Sequence, residues 1–332
     1  MEHTDLQARL AGLAGVQAGA ALRQLVAAGL DRLPFPGQGA TLARWRALAA
    51  VGAHDLSLAK LFEGHTDALA ILHEAGAAIG RRDALWGTWC AEPPDARLLL
   101  HTEPDGRVTL GGRKAWCSGA HALSHAVVSC WNEDGEAVLA AVELGQQGVR
   151  VTDEGWHAVG MRGSRSVDVL FDRVPATQLG APGFYVARAG FWQGGAGVAA
   201  CWYGAATRLA DALRARAAGQ MDAHRLAQLG DVTVALGASA ALMREAAAAI
   251  DRAPTANAML AALSVRLSVE AAATATLAAT GKALGAGPLC KDPVIATLFA
   301  DLPVFMRQSH AERDLETVGR VVAGAESVPW TL

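Results

Sequence analysis

The chain has 332 residues, enough for two or three domains around a sizeable core, and 52% of them are hydrophobic. Alanine and the 36 glycines carry much of that share, which points to close-packed helices rather than long aliphatic runs. A net charge of −3 with scattered Lys and Arg leaves no basic stripe, so nucleic-acid binding is disfavoured.

The first ten residues, MEHTDLQARL, lack the basic start and apolar stretch of a signal peptide, and the expected compartment is the cytoplasm. The uncharged run 189–207 is about long enough to cross a bilayer but holds five glycines and a glutamine, so no membrane span is expected. The cysteines (Cys90, Cys117, Cys130, Cys201 and Cys290) are odd in number and form no CxxC pair. They read as reduced, small apolar side chains.

In chain order, residues 4–80 carry a helical period, with Leu6, Leu10 and Leu13 three and four apart. The turn LPFPGQG breaks it at 33–39, and TLARWRALAAVGAHDLSLAKLF resumes it. Between about 85 and 180 the period changes to that of strands. GRVTLGGRK alternates Val108 and Leu110, HAVVSC and EAVLAAVEL flank the turn NEDG, and SVDVLFDRVP sets Val167, Val169 and Phe171 on one face before Pro175. From about 186 the period is helical again. In the stretch beginning at Met221, Leu226, Leu229, Val232, Leu236, Ala240, Met243, Ala247 and Ile250 make one stripe. Helices are expected over 186–217, 222–251, 255–284 and 292–323, and their short connections imply an antiparallel bundle. The expected fold is α+β and mostly α: an N-terminal helical domain (1–84), a small middle β domain (85–181) and a C-terminal four-helix bundle (182–332).

Several motifs have ordinary readings. His121 and His125 are four apart, but Gly119 precedes them and a β-type run follows. Two unrelated loop histidines are expected rather than a zinc site, and no metal is expected elsewhere. Gly195, Gly197 and Ala200 spell GxGxxA without a strand before them, which suits close helix packing better than a dinucleotide turn. RGSRS at 162–166 is not GxSxG, so a nucleophile elbow is not supported. In GGRKAWCSGA (111–120), Trp116 and Ser118 are either ordinary strand residues or the wall of a site for a flat aromatic ligand, with Cys117 between them pointing the other way.

The succession of helices, β domain and bundle, together with WCAEP (89–93), GGRKAWCSGA, GVRV (148–151), VGMRGSRSVDVLFDRVP (159–175) and RQSHAERDLETVG (307–319), resembles the acyl-CoA dehydrogenase family of flavoproteins over about residues 40–322. The resemblance implies bound FAD, with Trp116 walling the ring and Ser118 bonding it near the atom that receives hydride. It implies that Glu92, Arg162 and Ser164 help shape the cofactor cleft and that Arg313 is placed to hold flavin phosphates. ALGAGP (283–288) resembles the turn that approaches a neighbouring subunit's flavin. The implied activity is α,β-dehydrogenation of an acyl thioester, with a small-molecule substrate such as an acyl-CoA, an electron-transfer flavoprotein as partner, and assembly as a homodimer or homotetramer.

The departures concern chemistry more than fold. Ala91 stands where the family has a flavin-bonding threonine, and PDARLLL replaces the Gly-Ser-Asp that helps hold the acyl-CoA. The family's catalytic glutamate falls about nine residues after the Arg of the Arg-Asp pair. Counting from Arg313 and Asp314 reaches Val322. The last helix instead offers His310 and Asp314, four apart, as candidate catalytic groups, with Arg313 and Thr317 expected on the same face. A histidine in this region takes part in the site of oxygen-using relatives. Two alternatives to dehydrogenation follow: a flavin-dependent monooxygenase on the same fold, or a catalytically degenerate flavin-binding or assembly subunit.

Overall fold

The computed structural model describes residues 3–219, 222–326, 328, 330 and 331, so Met221 of the expected stripe lies outside the described residues. The chain separates into two compact units, one comprising Ser57–Phe191 with the segment up to Leu33, the other Pro34–Leu56 with everything from Trp192 onward.

The first unit opens with α1 (His3–Ala11) and α2 (Ala18–Ala27), which bury Leu6, Leu10, Leu22 and Leu25. After α3 (Thr41–His54), which belongs to the second unit, comes α4 (Leu56–Glu74). The seven strands follow: β1 (Trp86–Trp89), β2 (Leu98–Thr102), β3 (Val108–Cys117), β4 (His125–Trp131), β5 (Ala137–Glu143), β6 (Val149–Val151) and β7 (Val167–Leu179). They form one sheet in the order β1-β4-β2-β3-β7-β5, with β6 beside β7, and the pairing of β5 with β4 turns it back on itself. The turn at 132–135 follows from its residues. Asn132 accepts the Glu136 amide at 2.8 Å, and Gly135 takes the left-handed conformation the tight return needs. Helix α4 lies on the sheet, packing Ala68, Ile71 and Leu72 against Trp86, Val127, Leu139 and Leu179. Beyond β7, α5 (Phe184–Ala187) ends at Arg188, whose buried guanidinium donates to Glu74 and Asp67 at 2.9 and 3.2 Å. Anchored there, Arg188 is extended, and the long helix expected from 186 begins instead at Gly190.

The second unit packs α3 with α6 (Gly190–Gly219), α7 (Ala223–Arg252) and α8 (Met259–Leu284), followed by α9 (Ala286–Lys291), α10 (Pro293–Phe305) and α11 (Glu312–Ala323). Small residues bring α3 and α6 together: a methyl on Gly52 would strike the backbone of Cys201, and one on Gly204 the backbone of Ala49. In α7 the expected stripe is buried at Val232, Leu236, Met243, Ala247 and Ile250, whereas Leu226 is 40% exposed. Ser239 joins the stripe and bonds Ser268 of α8 across the helix pair at 2.9 Å. Among the described residues α7 and α8 are long and apolar enough to cross a membrane by length and composition, and both pack in this unit.

The single helix expected over 292–323 is corrected by the structure. Pro303 supplies no amide near the end of α10, Met306–Gln308 tighten into a 3-10 turn, Ser309 is extended, and Ala311 has φ 43°. The fourth element of the bundle is thus two helices with a break between them.

Candidate functional site

The stretch 114–118 lies at an irregularity in the sheet. Pairing of β3 with β7 shifts register between Lys114 and Cys117, and this bulge spoils strict alternation. Lys114 and Ala115 are both buried, Trp116 is turned outward and 48% exposed, and Cys117 is buried. Trp116 has φ 56°, a left-handed conformation that costs a non-glycine residue about 1–2 kcal/mol and persists only where its surroundings enforce it.

Those surroundings are visible. The indole of Trp89 donates to the Ser118 carbonyl at 3.1 Å, and the Gly119 amide donates to the Ser164 carbonyl at 2.8 Å. Ser164 ends a 3-10 turn, Arg162–Ser164, flanked by two more left-handed residues, Met161 (φ 58°) and Arg165 (φ 44°). The turn and the bulge are then joined through hydroxyls. Ser118 Oγ lies 2.8 Å from Ser166 Oγ, Ser166 Oγ lies 2.9 Å from Ser164 Oγ, and Ser164 donates to the Met161 carbonyl at 2.7 Å. Ser164 and Ser166 are buried, Ser118 is half-buried, and Arg162 is exposed at the rim of the turn. Ser164, at 1% exposure, offers no surface for direct contact with a ligand. Ser166 is not among the residues the sequence singles out, although RGSRS places it two residues after Ser164.

Glu92 is held from behind the same strand. Lys114, only 2% exposed, donates to Glu92 at 2.5 Å and to the carbonyl and hydroxyl of Ser129 at 2.7 Å each. The Ser129 hydroxyl and the Trp131 indole also donate to the Glu92 carboxylate. With an ammonium, a hydroxyl and an indole on its two oxygens, Glu92 pins the segment after β1 to β3 and β4.

In the second unit His310, Arg313 and Asp314 stand together, but not as one helical face. His310 precedes α11 because the chain breaks there, and its relation to Thr317 is therefore not that of helical neighbours. The His310 amide donates to Asp314 at 3.2 Å, and its imidazole, 66% exposed, sits 3.7 Å from the same carboxylate. Asp314 is buried and closes the break; Arg313 is exposed. Ser309 accepts the Ala311 amide at 3.2 Å, a local turn signal that the apolar period across this region hides. Gly285 of ALGAGP caps α8 with φ 67°.

The two histidines are separately engaged, and only His121 lies in a loop, since His125 opens β4. His121 meets the Thr152 carbonyl at 3.1 Å, while His125 bonds Ser124 at 2.9 Å and packs its ring on Trp86; burial lowers its pKa. Among the described residues no group of three or more His, Cys, Asp or Glu gathers as for a metal ion.

No family model matches the chain, and no curated protein does. Solved structures match over nearly its whole length. Methanesulfinate monooxygenase MsuC from Pseudomonas fluorescens has a TM-score of 0.82 at 18% identity, covering 99% of this chain and 98% of that one. Dibenzothiophene monooxygenase TdsC from Paenibacillus sp. A11-2 has a TM-score of 0.81 at 18% identity over 96% and 95%, and it also has an FMN-bound structure. KijD3, in complex with FMN and a dTDP-amino-keto-sugar, has a TM-score of 0.81 at 20% identity over 98% and 94%. The helices, the irregular sheet and the broken bundle together are the acyl-CoA dehydrogenase-like fold.

Proposed function

We propose that the protein is a flavin-dependent monooxygenase on this fold, rather than a dehydrogenase of acyl thioesters. The observation that carries the flavin is Trp116, held outward in a strained conformation beside a hydroxyl fixed from within. A flavin ring fits such a place because it is flat and apolar on its faces and hydrogen-bonding at its edge. Two points support oxygenation: Val322 stands where the dehydrogenase base would be, and the neighbours named above include two monooxygenases. When bound in its reduced form, the flavin supplies two electrons to dioxygen, one oxygen atom going to the substrate and the other leaving as water.

The chain's own residues have distinct tasks in this reading. Trp116 covers one face of the ring, Ser118 bonds its edge, and Arg162 borders the opening. Glu92 and Lys114 hold the bulge that presents them. His310 is the proposed proton-handling group, and Arg313 the proposed phosphate holder. The resemblance implies FAD, whereas KijD3 and TdsC carry FMN, so both cofactors are to be offered. A homodimer or homotetramer belongs to the same proposal and is measured by light scattering.

The test is reconstitution with FMN or FAD, anaerobic reduction with dithionite, and mixing with 18O-labelled dioxygen plus indole, dibenzothiophene or methanesulfinate. One labelled oxygen in a product supports the reading. Bleaching of oxidised flavin by an acyl-CoA panel, with formation of the enoyl thioester, would restore the dehydrogenase. A protein that takes up neither flavin in either redox state is not a flavoenzyme.

A further inference from the structure

We propose that Ser164 and Ser166 are positioning residues that fix the Ser118 hydroxyl as a hydrogen-bond acceptor, and thereby make the site select reduced over oxidised flavin. This rests on the proposed function, in which Ser118 faces the flavin edge. A serine hydroxyl has one proton to donate and two lone pairs to accept with, and a backbone carbonyl can only accept. At the inner end of the chain Ser164 donates its proton to the Met161 carbonyl at 2.7 Å. Toward Ser166, 2.9 Å away, Ser164 is therefore the acceptor and Ser166 the donor. Ser166, its proton spent, accepts from Ser118 at 2.8 Å. The Ser118 proton points into the protein, and only lone pairs face outward beside Trp116. These orientations follow from the network as a whole, since the carbonyl at its end leaves one consistent order.

The backbone guards this order. The Ser118 carbonyl is held by the Trp89 indole and the Ser164 carbonyl by the Gly119 amide, so neither strand nor turn can shift to re-pair the hydroxyls without breaking those bonds. Ser166 is 2% exposed, so water is not at hand to supply an alternative partner.

An acceptor requires a donor in the ligand. Along its polar edge an oxidised isoalloxazine presents acceptors at N1, O2, O4 and N5, with a single donor at N3. Reduction converts N5 from an acceptor into an N–H donor. A Ser118 that can only accept repels the oxidised N5 lone pair and bonds the reduced N5–H. Replacing a lone-pair clash by a hydrogen bond is worth about five- to tenfold in affinity. Were Ser118 free to rotate, it could donate to oxidised N5 or accept from reduced N5–H, and the two states would bind alike.

The experiment is anaerobic equilibrium titration of the full-length protein with FMN and with dithionite-reduced FMN, repeated with FAD. The wild type is expected to bind the reduced form about five- to tenfold more tightly. The potential of the bound flavin then lies above that of free flavin, by about 30 mV per tenfold for a two-electron couple. Ser166→Ala cuts the chain while keeping Ser118, and the ratio is expected to fall to within about twofold of unity, chiefly by tighter binding of the oxidised form. Ser166→Thr keeps the hydroxyl and should restore the preference. Ser164→Ala, one link further in, serves the same purpose if Ser166→Ala does not fold. Equal affinities in the wild type, or a ratio unmoved in both alanine variants, would overturn the inference while leaving the flavin reading intact. Failure of both redox states to bind would instead overturn the flavin reading itself.

Discussion

Around Ser118 the polar atoms are fixed from the inside outward, through two buried serines to a backbone carbonyl, whereas around Asp314 they run from a buried carboxylate outward to an exposed imidazole. The first cluster restrains the Ser118 hydroxyl, the proposed flavin contact; the second restrains the backbone and leaves its histidine loose. Both contain the residue types expected of a site, yet their rigidity differs because of what terminates each network. A carbonyl at the end fixes every proton in the chain, while a carboxylate shared by an amide and an imidazole fixes only the break before α11. Pre-organisation therefore belongs to the bulge, where strain at Trp116 is also stored.

The largest effect is expected from removing the support of the bulge. Lys114→Ala removes a buried side chain and leaves the Ser129 carbonyl without its donor, while water reaches the exposed Glu92 carboxylate, so the cost is about 2 kcal/mol. Urea unfolding should show that loss, with flavin retention falling in parallel. A Lys114→Ala protein of wild-type stability would mean that the bulge stands without its anchor.

Trp116→Gly separates stability from binding. Glycine relieves about 1–2 kcal/mol of left-handed strain. It forfeits a similar amount through the half-buried ring and its own entropy. Net stability should stay within about 1 kcal/mol of wild type, while FMN affinity falls more than about tenfold. Unchanged affinity, measured by flavin fluorescence, would remove Trp116 from the site and the contrast between the two regions with it.

Smaller changes are expected at the other cluster. Asp314→Ala removes the acceptor of the His310 amide and an acidic group from the first turn of α11, at a cost of about 1 kcal/mol. His310→Ala, at an exposed imidazole, should cost less than about 0.5 kcal/mol. If denaturant midpoints reverse that order, the imidazole rather than the amide holds the break and the second cluster is as rigid as the first.

Local pattern accounts for much of the fold and for part of the candidate site. The stripe from Val232 to Ile250 holds because a buried helix face obeys one period, and the strands around NEDG hold because turn residues punctuate them. Trp116 and Ser118 stand out in the sequence by their spacing. What the sequence hides depends on residues far apart in the chain. Ser118 and Ser166 meet only because β3 pairs with β7, and nothing local marks a tryptophan for the left-handed conformation that the bulge imposes. The break before α11 is hidden for a different reason. The turn at Ser309 is local, but an apolar period running on both sides of it outweighs that signal.

The smallest effect concerns the thiols and compares the two regions once more. Burial pushes the Cys117 thiol, beside Trp116, far up, and that of Cys130 up to about 12, while Cys290 of α9 is exposed. Iodoacetamide at pH 8 should therefore label Cys290 and spare Cys117 and Cys130 until the protein unfolds. The same shifts set a sign for stability against pH. The folded values lie above the ordinary thiol value of 9.0, so the unfolded chain loses these protons first. The contribution is complete below pH 9 and is lost as the pH rises from there toward the folded values, since the folded state then holds more protons. At pH 9 each thiol subtracts about 0.4 kcal/mol and at pH 7 almost nothing. Cys130→Ala should accordingly flatten the alkaline limb of a urea-midpoint profile without shifting it between pH 6 and 8 beyond the cost of the lost packing. A Cys117 that labels as fast as Cys290 would show that the bulge opens readily, and the rigidity argued for Ser118 would not hold.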